Sequence, residues 1–330
     1  MSDRPDLSIV IVNWNGIGIL RDCLRSVVEN TSEGEVEIIV VDNASEDGSQ
    51  AMVEAEFPRA TLIRNTENRG FAPANNQGLA IATGRYLLLL NTDTVVLGEA
   101  LQNSVAYMDE HQDVGAFGCR VLNPDKTMQA TCFAFPSLVN LAMWATGLTA
   151  LPGAFFGRQT YRGWLRDSER DVDVVTGCYL MVRREVYEQV GTLDEQFFFF
   201  GEETDWCASI ARAGWKVRFA PVGEIIHIGN VSGKKHSHRR DFMLASGFVR
   251  LHRKHSGALA GRLAGWLCWS YWATRWVAYS LRLLISKNQD LRERRDRFGR
   301  ILKGYREVWE MADAPPPAPA TSEPARSKAG

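Results

Sequence analysis

Asn91-Thr92-Asp93 stands where the run Arg85-Tyr86-Leu87-Leu88-Leu89-Leu90 stops. Four leucines behind a tyrosine describe a strand covered on both faces, the state of a central parallel strand. In open α/β sheets, ligands bind beyond the carboxyl ends of the strands. An Asp at that end is placed to hold a divalent cation against a phosphate-bearing ligand, or else to cap the next helix. A second chemical cluster is Glu202-Glu203, directly after Phe197-Phe198-Phe199-Phe200-Gly201. A dry aromatic wall raises a carboxyl's pKa and makes its anion a better base. Acids in a first helical turn are also favoured by the dipole alone, and Asp205 is read that way. His227 follows Ile225-Ile226 without another ligand-type residue beside it, ordinarily the setting of a structural histidine.

The elements that must position these residues alternate. Residues 7–12 form an apolar strand ending at Asn13-Trp14-Asn15-Gly16, and Leu20, Leu24 and Val27 continue it as a helix. A second strand, 37–41, stops at Asp42-Asn43-Ala44-Ser45-Glu46-Asp47-Gly48-Ser49. A short helix, a strand at 60–64, a polar loop at 65–78 and a helix lead into the leucine strand. This β-α-β order predicts a parallel, doubly wound, Rossmann-like α/β sheet. Beyond it the spacing predicts a helix at 98–112, a strand at 116–122 and a sheet-edge strand at 128–136. Residues 137–171, rich in Gly, Trp and other aromatics, predict a mobile loop. The strand at 174–184 contains Gly177, where backbone and ligand approach closely. Helices at 185–191 and 206–213 and a strand from 216 complete the catalytic part.

Several readings are excluded. Asn15-Gly16-Ile17-Gly18 lacks the third glycine of a dinucleotide fingerprint, and no Gly-x-x-x-x-Gly-Lys-Ser/Thr loop occurs. A nucleotide on this sheet is therefore held by side chains and a metal. A sugar-nucleotide nucleotidyltransferase would need a Lys- or Arg-bearing loop after the first strand, and Asn13-Trp14-Asn15-Gly16 supplies none. A silent binding module would not need Asp93, Glu203 and His227 together. Most of the six cysteines fall within apolar runs and none forms a Cys-x-x-Cys pair, as in a reduced, cytosolic chain. The opening Met-Ser-Asp-Arg-Pro-Asp has no apolar h-region, so no secretory signal is expected.

The segments Ser8-Ile9-Val10-Ile11-Val12-Asn13-Trp14-Asn15, Asp42 to Ser49, Asn68-Arg69-Gly70-Phe71, Asn75-Asn76-Gln77-Gly78 and Leu90-Asn91-Thr92-Asp93 together resemble the family 2 glycosyltransferases. Within that family the resemblance is to the bacterial rhamnosyltransferase-type branch, and it runs in order from about residue 7 to 233. It implies a GT-A fold, a nucleoside-diphosphate sugar donor, a divalent metal (Mg²⁺ or Mn²⁺) and inversion at the anomeric carbon. The donor-binding set it implies is Asn13, Asn15, Asp42, Asn43, Asn68, Gly70, Asn75, Asn91, Asp93 and Gly177. Asp42 would meet the nucleobase or ribose, and Asp93 the metal. The family's Asp-x-Asp is Asn-x-Asp here, so Asn91 is expected on the ribose or diphosphate. The base of the family is the second acid of a Glu-Asp pair. Glu203 occupies that place as a Glu, with Glu202 the other candidate. The family pattern also makes His227 a second metal ligand.

The halves of the catalytic region are expected at about 1–97 for the nucleotide sugar and 98–233 for the acceptor. A basic, Trp-rich helical region at 234–311 and a disordered tail at 312–330 complete the chain. From residue 234 to 310 there are eighteen Lys/Arg against six Asp/Glu, although the whole chain carries a net charge of −1. Such a segment suits an anionic surface. No RNA- or DNA-binding motif accompanies it, so no nucleic acid is expected. The longest arginine-free apolar run, 263–274, is too short to span a bilayer, which takes roughly 20 residues. Trp266, Trp269, Trp272 and Trp276 share one helical face, which favours the headgroup boundary over a face packed on the protein. The expected enzyme is a non-processive transferase of surface-polysaccharide synthesis. It is expected at the cytoplasmic face of the membrane, passing a sugar such as rhamnose to a glycan or lipid-linked hydroxyl.

Overall fold

The computed structural model describes residues 4–32, 34, 36–197, 200–229 and 237–315. Its first half alternates as expected. The order is β1 (Leu7–Asn13), α1 (Ile17–Glu29), β2 (Val36–Asp42), α2 (Ser49–Glu56), β3 (Thr61–Arg64), α3 (Phe71–Ile81) and β4 (Tyr86–Leu90). Then come β5 (Thr94–Leu97), α4 (Ala100–Glu110), β6 (Val114–Leu122), β7 (Cys132–Phe133), α5 (Leu138–Thr146), β8 (Arg170–Asp171), β9 (Val174–Val175), β10 (Tyr179–Arg183) and α6 (Arg184–Val190). The catalytic region closes with α7 (Glu202–Arg212) and β11 (Lys216–His227). Four helices come after it: α8 (Ser237–Ser256), α9 (Ala258–Arg282), α10 (Gln289–Lys303) and α11 (Arg306–Asp313).

The main sheet has the order β3-β2-β1-β4-β10-β6-β11-β5, with β8 on the flank of β11. Strands β3, β2, β1 and β4 are parallel, as are β6 and β11. β10 runs against both its neighbours, and β5 against β11. The leucine strand is thus central and fully buried, but parallel to β1 only. Period-two alternation divides its side chains between two cores. Tyr86, Leu88 and Leu90 join Leu7, Ile9 and Ile11 on one face, and Leu87 and Leu89 join Val10 on the other.

The edge strand expected at 128–136 is a correction. Met128 makes a single antiparallel bridge to Leu122, and only Cys132–Phe133 forms a strand, pairing with β9 in a separate two-stranded ribbon. The expectation of an irregular loop at 137–171 also changes. Ser137 accepts a hydrogen bond from the backbone N–H of Asn140, Gly147 closes the other end at φ 81°, and between these caps lies α5. In the sequence these caps are inconspicuous among the aromatics. Helix α7 begins four residues earlier than expected, so the two glutamates lie in its first turn.

Helices α8 to α11 close over a core of their own that includes Phe242, Val249, Cys268, Trp272, Ile301, Tyr305 and Val308. α5 joins them: Trp144 stacks on Tyr271 at 3.6 Å, and Arg275 donates to the terminal carbonyls of Trp144 and Ala145. The expectation of one tryptophan face therefore divides. Trp272 is buried, whereas Trp266, Trp269 and Trp276 are 60%, 37% and 41% exposed. The open face of α9 is instead a stripe of Leu259, Leu263, Trp266, Val277 and Leu281, continued by Leu284. Among the described residues no helix is long and apolar enough to cross a membrane. Of the tail expected to be disordered from 312, Ala312 and Asp313 are helical, and residues beyond 315 lie outside the described residues.

Candidate active site

Strand register assembles the first group. Asn13 is opposite Asp42 in the β1–β2 ladder, and the Asn13 amide donates to Asp42 Oδ2 at 2.9 Å and to Ser45 Oγ at 3.1 Å. Asp42 also accepts from the Ser45 N–H and from Gln50, so its carboxylate is buried and well satisfied. Asn13 Oδ1 is left as a buried acceptor with no donor among the described residues. Asn15 and Ala44 take left-handed φ values of 51° and 62° at the two strand ends. Asn15 accepts from the Glu46 N–H and its own N–H donates to Ser45, which locks the two loops together. Such backbone positions persist where surrounding bonds over-determine them.

Asn43 and Asn75 are scaffold residues in this geometry. Asn43 is buried, donates to the Gly70 carbonyl and accepts from Asn65. Asn75 donates to the Phe71 carbonyl, and Asn68 accepts from the Gly70 N–H. These bonds shape the 65–71 turn. What approaches Gly177 closely is the Phe71 ring, which a Cβ at 177 would meet at 3.2 Å.

The antiparallel pairing of β5 and β11 puts Thr94 opposite His227, and the Ile228 N–H donates to the Asp93 carbonyl. Asp93 Oδ1 is thereby brought 3.1 Å from His227 Nε2, both side chains being mostly buried. Gln129, missed in the sequence, fixes the ring. Its amide nitrogen donates to Asn123 and to the His227 carbonyl, so its oxygen faces His227 Nδ1 at 2.6 Å as the acceptor. Nδ1 therefore carries the hydrogen, and in the neutral ring the lone pair of Nε2 points at a carboxylate. Two acceptors facing one another call for a cation or a proton between them. The Asn91 amide reaches the same nitrogen at 3.4 Å. Among the described residues no third His, Cys, Asp or Glu joins to form a larger ligand cluster. Two protein ligands suit Mg²⁺ or Mn²⁺ when phosphate oxygens complete the shell, so the residues present fit that group.

The second group is the glutamate pair. Phe200 and Gly201 enter α7 with φ values of 74° and 106°. A left-handed conformation is unusual for a bulky residue and is held here by close packing. Gly247 of α8 lies so close that a Cβ there would sit 2.5 Å from the Phe200 carbonyl oxygen. Part of the expected aromatic wall, Phe198 and Phe199, lies outside the described residues, while Phe197 is buried. Glu202 and Glu203 each have a buried Oε2 with no hydrogen-bond partner among the described residues. Burial pushes both carboxyls above the ordinary range, and the charge of Glu203 pushes Glu202 further, well above it. Neighbouring carboxyls titrate as a pair, so one of the two keeps its proton when the other ionises. The thiol of Cys178 is raised to about 12, by burial first and also by the charges of Asp93 and Glu203.

Asp205, read as a first-turn acid, also ties α7 to α8. It accepts from Lys254 at 2.9 Å and pairs with His255 at 2.7 Å.

A buried acid pair together with a metal-ready pair on a mixed α/β sheet has the groups that moving a substituent off a phosphate leaving group requires. Comparison with known proteins agrees. Residues 8–191 match Glycosyl transferase family 2. The N-acetylglucosaminyl-diphospho-decaprenol L-rhamnosyltransferase of Mycobacterium tuberculosis is 26% identical over 319 residues, 90% of this chain and 98% of that protein. The low-salt glycan biosynthesis hexosyltransferase Agl10 of Haloferax volcanii is 25% identical over 67% of each chain. The fold is that of the mannosyltransferase PcManGT from Pyrobaculum calidifontis, solved with GDP-Man and Mn²⁺. That match has a TM-score of 0.57 and 17% identity, covering 93% of this chain and 88% of that one. GalNAc-T7, solved with UDP, GalNAc and Mn²⁺, matches with a TM-score of 0.56 and 17% identity over 93% of this chain and 57% of its own. The architecture is the GT-A fold, and this chain belongs to glycosyl transferase family 2, a glycosyltransferase resembling the rhamnosyltransferase-type branch.

Proposed function

We propose that the protein is an inverting, metal-dependent glycosyltransferase that moves a sugar from a nucleoside diphosphate to a hydroxyl of a lipid-linked acceptor. The observation that carries this reading is the Asp93–His227 pair, fixed by Gln129 so that two acceptors face each other at 3.1 Å. Asp93 and His227 would hold the divalent cation, which supplies charge neutralisation for the departing diphosphate. Asp42, with Asn13 and Asn15 around it, forms the floor for the nucleoside. Glu203 takes the proton of the acceptor hydroxyl as that oxygen attacks the anomeric carbon from the face opposite the leaving group. Positioning between the 65–71 turn and α7 contributes the rest. The activity for which the mycobacterial relative is named supports a rhamnosyl donor and a diphospho-polyprenol acceptor.

The open stripe on α9, with Arg262 and Arg282 beside it, supports docking on an anionic membrane. Its job there is to hold the site over the acceptor at the cytoplasmic face. The test is a thermal-shift screen of nucleotide sugars with Mg²⁺ and Mn²⁺, repeated on Asp93→Ala. Metal-dependent stabilisation by one nucleotide sugar should vanish in the variant. Equal stabilisation of both proteins would reduce Asp93 to a cap.

A further inference from the structure

Between β7 and β9 the chain folds into an insert with a cavity of about 610 Å³, and its walls include Arg158, Arg162 and Arg170 against one acid, Asp173. None of the three guanidinium groups is in an ion pair among the described residues. Arg158 donates to the Asn140 side chain, Arg162 donates to the carbonyls of Leu151 and Thr149, and the Arg170 side chain makes no hydrogen bond among the described residues. Arg170 is instead held over the rings of Tyr161 and Trp164, with distances of 4.4 and 5.3 Å to their centroids. The Asp173 carboxylate accepts from the Phe135 N–H. Cationic forks held in place, with no anion of their own, are the arrangement that binds phosphate bidentately.

The cavity is tied to the metal pair by one short piece of chain. Gln129 touches His227, and five residues later Ala134 lines the cavity, a span of at most about 18 Å. The rim is apolar and open: Val139, Leu148, Leu151 and Phe155 are each at least two-fifths exposed. Helix α5, which follows the cavity-lining Ser137, packs on α9 through Trp144 and Tyr271.

We propose that this arginine-walled cavity seats the diphosphate of a polyprenyl-diphosphate-linked acceptor, separate from the donor's diphosphate site at Asp93. The apolar rim takes the first isoprene units, and the acceptor sugar reaches from the cavity toward Glu203. The inference rests on the lipid-linked reading above and sharpens it.

The test is calorimetric titration of the full chain with geranyl diphosphate, inorganic diphosphate and geraniol, in chelator so that the metal pair is unloaded. Geranyl diphosphate should bind, and Arg170→Glu should weaken it roughly tenfold to hundredfold, with a smaller loss in Arg170→Gln. Asp93→Ala should leave it unchanged. The milder Gln variant, still long enough to cover both rings, serves if the reversed charge lowers the melting temperature. Loss in Asp93→Ala with none at Arg170 would put the ligand in the donor site and overturn the proposal. Inorganic diphosphate binding as tightly as the geranyl ester would assign the cavity to a free anion. Geraniol binding as tightly would assign it to the apolar rim, and either result overturns the lipid-acceptor role. Absence of donor-dependent transfer by the wild type, with the titrations unchanged, would instead strike the glycosyltransferase reading.

Discussion

Gln129→Leu isolates the orientation of His227 from its identity. The wild-type ring gives its Nδ1 hydrogen to Gln129 over 2.6 Å, and the same glutamine braces the ring's own carbonyl and Asn123. Leucine keeps most of the volume but offers no acceptor, so the imidazole is free to turn and Nε2 loses its aim at Asp93. Loss of such an outer partner costs about 10- to 100-fold in metal affinity, or about 1.4 to 2.7 kcal/mol. Manganese titration by calorimetry, with the nucleoside diphosphate saturating, reads the change directly, and Asp93→Ala sets the ceiling. Gln129→Glu retains an acceptor on Nδ1 while losing the two donations to Asn123 and the His227 carbonyl, and should hold the metal more tightly than Gln129→Leu. A folded Gln129→Leu protein with unchanged manganese affinity would mean that His227 is not a ligand, and the reasoning from the tautomer would collapse.

Glu203→Gln should lower turnover by about 10²- to 10⁴-fold with donor binding intact, read from steady-state kinetics; the same loss in Glu202→Gln alone would move the base by one residue. Burial holds both carboxyls above their ordinary value of 4.5, so above that pH the folded protein binds more protons than the unfolded one and stability falls as pH rises. Glu202→Gln should therefore gain melting temperature over the wild type progressively from about 4.5 upward, and a gain that calorimetry finds flat across pH would refute the burial argument. Trp272→Ala should cost about 3 to 5 kcal/mol in denaturant melts because its ring lies in the helical core. Serines at Leu263, Trp266 and Leu281 should leave stability near wild type but release the protein from anionic vesicles, and retained vesicle binding would remove the stripe from the account.

The parallel half of the sheet was legible because its strands are continuous apolar runs ended by Asn and Asp. Those polar ends, Asn13, Asp42 and Asp93, carry the polar clusters of the candidate site. The antiparallel insertion of β10 was not legible. Tyr179 to Val182 reads as a buried strand whichever way it runs, and only tertiary pairing sets its direction. Gln129 carried no signal either, as a single polar residue in a weakly patterned stretch whose role depends on the β11 register. The α9 stripe was half visible. Helical spacing groups the four tryptophans, but only packing by α10 and α11 decides that Trp272 turns inward. The arginines of the insert lie in a segment read as irregular, so their convergence on one cavity needed the structure.

The most direct test supplies a rhamnosyl nucleoside diphosphate and an N-acetylglucosaminyl-diphospho-lipid acceptor with Mn²⁺, and follows the product's anomeric configuration by NMR. The account predicts a glycoside of inverted configuration, formed only with the divalent metal and absent in Asp93→Ala. Transfer with retained configuration, or transfer that proceeds undiminished in chelator and in Asp93→Ala, would contradict it.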